Sequence, residues 1–305
     1  MLNPIISLNY GLANVHLSPA PRGFVAETYY VDSDSGRYFA KILKSPLDIQ
    51  SVLASLPVLH ELHQMGIEQI TYPILTRDGQ FSISLDNRLL VLFNYIEGDW
   101  IFDFPFEPYV ELLARIHQLS DQIQTPLPHE TYDLWFMDDL HAFCQKLWNG
   151  SFDHPQEQRT AQWAVERQPV IQHAIMTIQD TAARLQTSHR PFILTHGDAA
   201  GNILYDGKQV YLVDWDAIIF APPERDTWFH RHQHHFLPVY RQFMPDYQFD
   251  PTAYRFYLYK RYLEDAVGYF DKILSSESSD AGKKQNFHEL VETCDEWLFP
   301  LMEKA

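Results

Sequence analysis

The chain is short of cysteine, of positive charge and of long hydrophobic runs, and each shortage excludes something. Two cysteines in 305 residues, Cys144 and Cys294, build no disulfide framework and fit a reducing compartment. Lys and Arg total 23 against 40 Asp and Glu, a net charge of −17. Nucleic acid and anionic membranes demand neutralising cations, so neither is an expected partner. The same balance is compatible with a cationic small molecule, though an ordinary acidic surface is the simpler cause. The apolar run 89–93 is far too short to span a bilayer, and no cationic, apolar leader opens the chain. A cytoplasmic protein is expected. Internal repeats and low-complexity tracts are missing too. So is a Gly-rich phosphate cradle: the loop 18–23 holds one glycine and two prolines, with Arg22 as a phosphate contact or an exposed turn residue. What is present is size and apolar content, 46% hydrophobic and 14% aromatic, enough for one large domain or two lobes.

The first hundred residues read as β-rich. Residues 24–31 and 37–43 form a strand pair around the turn 32–36. Lys41 lies inside the second, where a charge either meets an anion or points to water from an edge. Residues 47–65 have helical periodicity through Val52, Leu53, Leu56, Leu59 and Leu62, with Gly66 as a stop and Pro57 expected to kink or divide the helix. Strands at 69–74, 81–85 and 89–96 complete an expected five-stranded antiparallel sheet. From residue 97 the pattern turns helical, at 108–119, 138–148, 156–185 with a break at Pro169, and 250–274. A polar, mobile loop is expected at 275–282. His60 and His63 are three apart, short of the zinc-protease spacing. The run 229–236 is His-rich. If it is helical, His230 and His234 share a face at a spacing that binds zinc, without a third ligand; the alternative is a polar, pH-responsive rim of a binding cleft.

The most informative stretch is 191–229. An apolar strand, Phe192-Ile193-Leu194, breaks at Thr195-His196-Gly197-Asp198. The runs 202–205 and 210–213 flank Asp206-Gly207, a strong hairpin signal, and the return strand delivers Asp214-Trp215-Asp216. Asp198, Asn202, Asp214 and Asp216 are thereby gathered at one end of the hairpin. Clustered carboxylates repel one another, so they need a cation or a task in proton transfer.

His-Gly-Asp, a following Asn, a hairpin and then Val213-Asp214-Trp215-Asp216 resemble the catalytic segment of aminoglycoside phosphotransferases and choline-kinase-like enzymes, relatives of the protein kinases. With Ala221-Pro222-Pro223-Glu224-Arg225-Asp226 the segment is most similar to the spectinomycin phosphotransferase branch. The resemblance implies an α+β, protein-kinase-like fold of two lobes. A small antiparallel sheet with a helix would occupy 1–96, and a helical lobe with the catalytic loop and acceptor site 97–305. It implies transfer of the γ-phosphate of ATP, or GTP, with Mg²⁺, to a hydroxyl of a small, cationic, aminoglycoside- or aminocyclitol-like antibiotic, by a monomer or homodimer. Carried over by position, Asp198 is the catalytic base and Asn202 and Asp214 are the metal ligands. Lys41 meets the nucleotide phosphates, and Phe93, Asn94 and Tyr95 form the hinge against adenine. His196, Asp216, Arg225 and Asp226 are accessory, the last two bracing the catalytic loop. Trp228, with Trp100 and Trp215, lines the acceptor cleft. Glu264 and Asp265 hold the acceptor's ammonium groups, or form a solvated helix face paired with Arg261. His117 is a packing or capping residue.

Two departures accompany the resemblance. Asn202 follows Asp198 by four residues where the family has five, and Gly201 is expected to absorb the difference. No Glu stands at the helix spacing that would pair it with Lys41, Asp48 and Glu61 being the nearby acids. Two other readings therefore stand beside the first: a kinase for a metabolite such as choline, ethanolamine, homoserine or a sugar, and a kinase-like nucleotide-binding protein with little activity.

Overall fold

The computed structural model describes residues 2–20, 26–100, 104–230, 233 and 235–305. In chain order the elements are α1 (Leu2–Tyr10), β1 (His16–Pro19), β2 (Ala26–Ser33), β3 (Gly36–Leu43), α2 (Pro46–Gln64), β4 (Ile83–Leu85), β5 (Arg88–Asn94), β6 (Asp99–Trp100) and α3 (Phe106–Gln118). Three helices follow, α4 (Met137–Asn149), α5 (Pro155–Glu166) and α6 (Gln168–Gln186). Then come β7 (Ile193–Thr195), β8 (Ile203–Tyr205), β9 (Val210–Leu212), β10 (Ile219–Ala221), α7 (Glu224–Thr227) and α8 (Phe236–Phe243). The chain closes with α9 (Pro251–Leu274), α10 (Asp280–Val291), a π-helical turn over Glu292–Leu298 and α11 (Phe299–Met302). Among the described residues no helix is long and apolar enough to cross a membrane.

The chain separates into two compact units, each built from two stretches: Met1–Glu130 with Pro191–Tyr247, and Thr131–Arg190 with Gln248–Ala305. The lobe boundary expected after residue 96 falls inside the first unit. That unit holds a five-stranded antiparallel sheet in the order β1-β2-β3-β5-β4. Strand alternation sends Ala40 and Ile42 of β3 to one face, where they form a dry cluster with Val31, Leu90 and Leu92 under Ile6 and Tyr10 of α1. Lys41 takes the opposite face. The same unit holds two smaller sheets, β6-β8-β9 and β7-β10. In the second unit α6 packs along α9, and α10 packs against both α9 and α5.

Several expectations are corrected here. The fifth strand of the sheet is β1, not 69–74. Pro73 has no N–H for a ladder, and that segment makes only single bridges, Ile70 to Leu212 and Pro73 to Phe93. Pro57 does not divide the second helix: α2 runs unbroken for 19 residues, started by Ser45, whose hydroxyl accepts the Asp48 N–H. One missing hydrogen bond is outweighed by the burial of Val52, Leu56, Leu59 and Leu62 on both sides of it. The loop expected at 275–282 is shorter, because Ser279 caps α10 at the Gly282 N–H. By contrast, Pro169 falls where helices accept proline, at the start of α6. Arg22 and the first two residues of the strand expected at 24–31 lie outside the described residues.

Candidate active site

The site lies within the first unit and begins at β7, which ends in a tight loop. His196 follows directly, and Gly197 turns the chain with φ +93°, a conformation open to glycine. Below it lies the Arg225 guanidinium, which donates to the Thr195 hydroxyl at 2.9 Å and the Ala217 carbonyl at 2.8 Å. A Cβ at position 197 would stand 2.3 Å from Arg225 Nη2, so the glycine is required by space as well as by angle. Asp226 anchors the loop from within. Fully buried, it accepts the His196 N–H at 2.7 Å and the Gly197 N–H at 2.6 Å, the two amides preceding Asp198. Burial alone would raise the Asp226 carboxyl. The His117 Nε2–H bond at 3.1 Å, with the nearby Arg225 charge, outweighs it and holds the group below the ordinary range. His117 is held in turn by the Tyr240 hydroxyl, 2.6 Å from its Nδ1.

Asp198 and Asn202 are joined by a single 3₁₀ turn, Ala199–Gly201. Asn202 Nδ2 donates back to the Asp198 carbonyl at 2.9 Å and to its Oδ2 at 3.2 Å. Gly201 therefore does not absorb the missing residue through a left-handed conformation; its φ is not positive, and a Cβ there would make ordinary contact with the Asp198 carboxylate at 3.5 Å. The turn itself takes up the shorter spacing. The hairpin then presents Asp214. The Val213 N–H donates to the Asn202 carbonyl at 3.0 Å, and its carbonyl accepts from His196 Nε2 at 2.9 Å, so one residue ties both loops. His196 Nδ1 is left to accept the Asp198 N–H at 3.3 Å.

Asp214 adopts φ +63°, the left-handed region that a non-glycine residue enters at a cost of about 1–3 kcal/mol. Its carboxylate is 53% exposed and lies 2.9 Å from Lys41 Nζ, while Asp216, 28% exposed, makes the second and closer ion pair to the same ammonium. Lys41 is buried, and burial disfavours its charge, but the carboxylates of Asp216 and Asp214 prevail and hold its pKa above the ordinary lysine value. Burial likewise pushes the Asp216 carboxyl up against the pull of Lys41. Lys41 therefore meets acid from the hairpin and not from α2. Glu61 accepts from the Gln124 N–H at 2.8 Å and the Thr125 hydroxyl at 2.5 Å.

Among the described residues no three His, Cys, Asp or Glu side chains are grouped to hold a metal by themselves. Magnesium needs less from a protein, one or two oxygen ligands with water and phosphate completing the octahedron. Asp214 fits that pattern. So does Asn202, whose amide nitrogen is turned to Asp198 and whose remaining donor is oxygen.

The other expected site residues are placed as follows. Phe93 pairs with Phe39 across β5 and β3. Asn94 spends its backbone N–H on the Tyr72 carbonyl at 3.1 Å and its side chain on the Tyr72 N–H and the Ile70 carbonyl, so it fastens the strand end. Tyr95 stands edge-on to Tyr30 beneath Arg37. Trp215 lines no cleft: it is buried against His196 and donates to the Leu212 carbonyl at 3.0 Å. Trp100 is exposed, and Trp228 is half-buried beside Phe229. In the second unit, Asp265 pairs with Arg261 at 2.7 Å and Glu264 with Lys260 at 3.9 Å, each one turn along α9. His230 is no titrating rim. It is buried among Phe106, Tyr109 and Phe229, and burial pushes its pKa down to about 4. His234, its supposed zinc partner, lies outside the described residues.

The sequence profile of the phosphotransferase enzyme family matches residues 16–257. Protein StrN of Streptomyces griseus is 25% identical over 235 residues, which cover 72% of this chain and 70% of that protein. Spectinomycin phosphotransferase APH(9)-Ia, solved with ADP and spectinomycin, superposes with a TM-score of 0.79 at 21% identity, over 99% of this chain and 98% of that one. The microcompartment-associated aminopropanol kinase superposes with a TM-score of 0.65 at 14% identity, over 95% and 94%. These likenesses show a shared α+β, kinase-like fold, as expected from the motif.

Proposed function

The chain belongs to the phosphotransferase enzyme family, and on that premise we propose that it transfers the γ-phosphate of ATP to a hydroxyl of a small cationic acceptor of the aminocyclitol kind. The observation that carries this reading is the convergence of Lys41, Asp214 and the Asp198–Asn202 turn, fastened together through Val213. Phosphoryl transfer passes through a loose transition state, so a protein contributes position and charge more than covalent chemistry. Lys41 would steady the nucleotide phosphates, and the backbone at Phe93 to Tyr95 would meet adenine. Asp198, its preceding amides fixed by Asp226, would orient the acceptor hydroxyl and take its proton. Asp214 and Asn202 would hold Mg²⁺, which when bound offsets phosphate charge. Trp228, Glu264 and Asp265 are proposed as acceptor contacts, and a net charge of −17 supports a cationic acceptor.

Asp198→Ala should lower turnover by about 10²-fold or more while ADP affinity is kept. Turnover close to wild type would remove Asp198 from the role. One observation favours a second reading. Glu264 and Asp265 already have cationic partners on α9, which suits an acceptor of lower charge, such as an amino alcohol or a sugar. A coupled ADP-release assay over aminocyclitols, amino alcohols and sugars separates the two readings, and silence across the panel would favour a binding protein.

A further inference from the structure

Lys41 reaches Asp214 at 2.9 Å and Asp216 more closely still. The carboxylate assigned to the divalent cation thus already faces a tethered monovalent one, which it shares with Asp216. Lys41 is buried on a strand paired on both sides, so its ammonium rests beside the two carboxylates and not in open water. Two cations competing for one carboxylate oppose each other. An anion that draws the ammonium aside removes the opposition.

We propose that Lys41 is a resident counter-ion that makes the cation site conditional: a divalent ion binds Asp214 weakly until a nucleotide phosphate takes Lys41. This rests on Asp214 being a metal ligand. Asp216 gives the device its return position, because Lys41 keeps one carboxylate whichever way Asp214 is used. By reciprocity, the cation in turn tightens the phosphate, over and above chelation in solution.

The experiment follows Mn²⁺ binding by the loss of its free paramagnetic resonance signal, with a melting curve as second readout. Mn²⁺ alone should bind the wild-type chain weakly. Lys41→Met, which keeps the stem but not the charge, should bind Mn²⁺ alone about tenfold more tightly, or better. In the wild type, AMP should tighten Mn²⁺ where adenosine does not, since one phosphate suffices to engage Lys41 yet chelates poorly. This arm needs no variant and stands if Lys41→Met fails to fold. Equal effects of AMP and adenosine, or a folded Lys41→Met that gains nothing for Mn²⁺ alone, would overturn the proposal. If ADP brings Mn²⁺ to the wild type and Asp214→Asn abolishes it, the metal-ligand reading survives that failure. If Asp214→Asn changes nothing, the ligand assignment falls first.

Discussion

Two glycines four residues apart illustrate how differently one residue type can matter. Gly197 has φ +93° and the Arg225 guanidinium where a Cβ would go. Gly197→Ala should cost about 1–3 kcal/mol in denaturant titrations, with a larger loss of turnover because Asp198 moves with it. Gly201 has an ordinary φ and open contacts, so Gly201→Ala should leave stability unchanged or raise it by up to about 1 kcal/mol. His230 supplies a pH prediction. Unfolded, it takes a proton near the ordinary 6.5; folded, it waits until about 4. Stability should therefore fall as pH drops through that window, by up to about 3 kcal/mol from this residue. His230→Phe should flatten that part of the pH–stability curve. Burial of this kind was illegible beforehand, because a His-rich run reads as polar. The partner of Lys41 was equally hidden, since only the fold brings positions 173 and 175 residues away against it.

Elements were legible where chemistry is local. Asp206-Gly207 marks the hairpin, and Gly207 indeed takes φ +89° between β8 and β9. Pro155 and Pro169 each open a helix at a position where the missing N–H costs nothing. Elements whose existence depends on distant partners were not legible. β1, with the sequence His-Leu-Ser-Pro, shows no alternation of its own and is a strand because the edge of β2 accepts it. Residues 69–74 look better suited, yet Pro73 has no N–H for a ladder and the segment is left as single bridges. Pro57 is a case of tertiary burial overriding a local breaker. Pro57→Ala restores a backbone donor within α2 and should raise stability by up to about 3 kcal/mol, measured by thermal melting. No gain would mean that the helix has fully adapted to the ring.

For the whole molecule, the charge balance is compatible with a cationic acceptor and with an ordinary acidic surface, and a salt test separates the two. KM for a cationic acceptor should rise with ionic strength, and KM for a neutral sugar should not, because the screening length falls to about 8 Å at physiological salt. The kinase-like fold class was readable from one motif of some thirty residues. Which remote segments meet was not: the Glu130 N–H donates to the Phe220 carbonyl, and β6 pairs with β8.

That interleaving bears on how the protein is made. Asp214 is added 173 residues after Lys41, which at about 5–20 residues per second is a delay of roughly 10–35 s on the ribosome. Throughout that interval β3 carries an ammonium with neither acid of the hairpin to receive it. A nascent chain stalled before residue 214 should therefore be cut by protease near β3 more readily than one released whole, and the polypeptide must be tolerated by the cell while that acid pair is still to come.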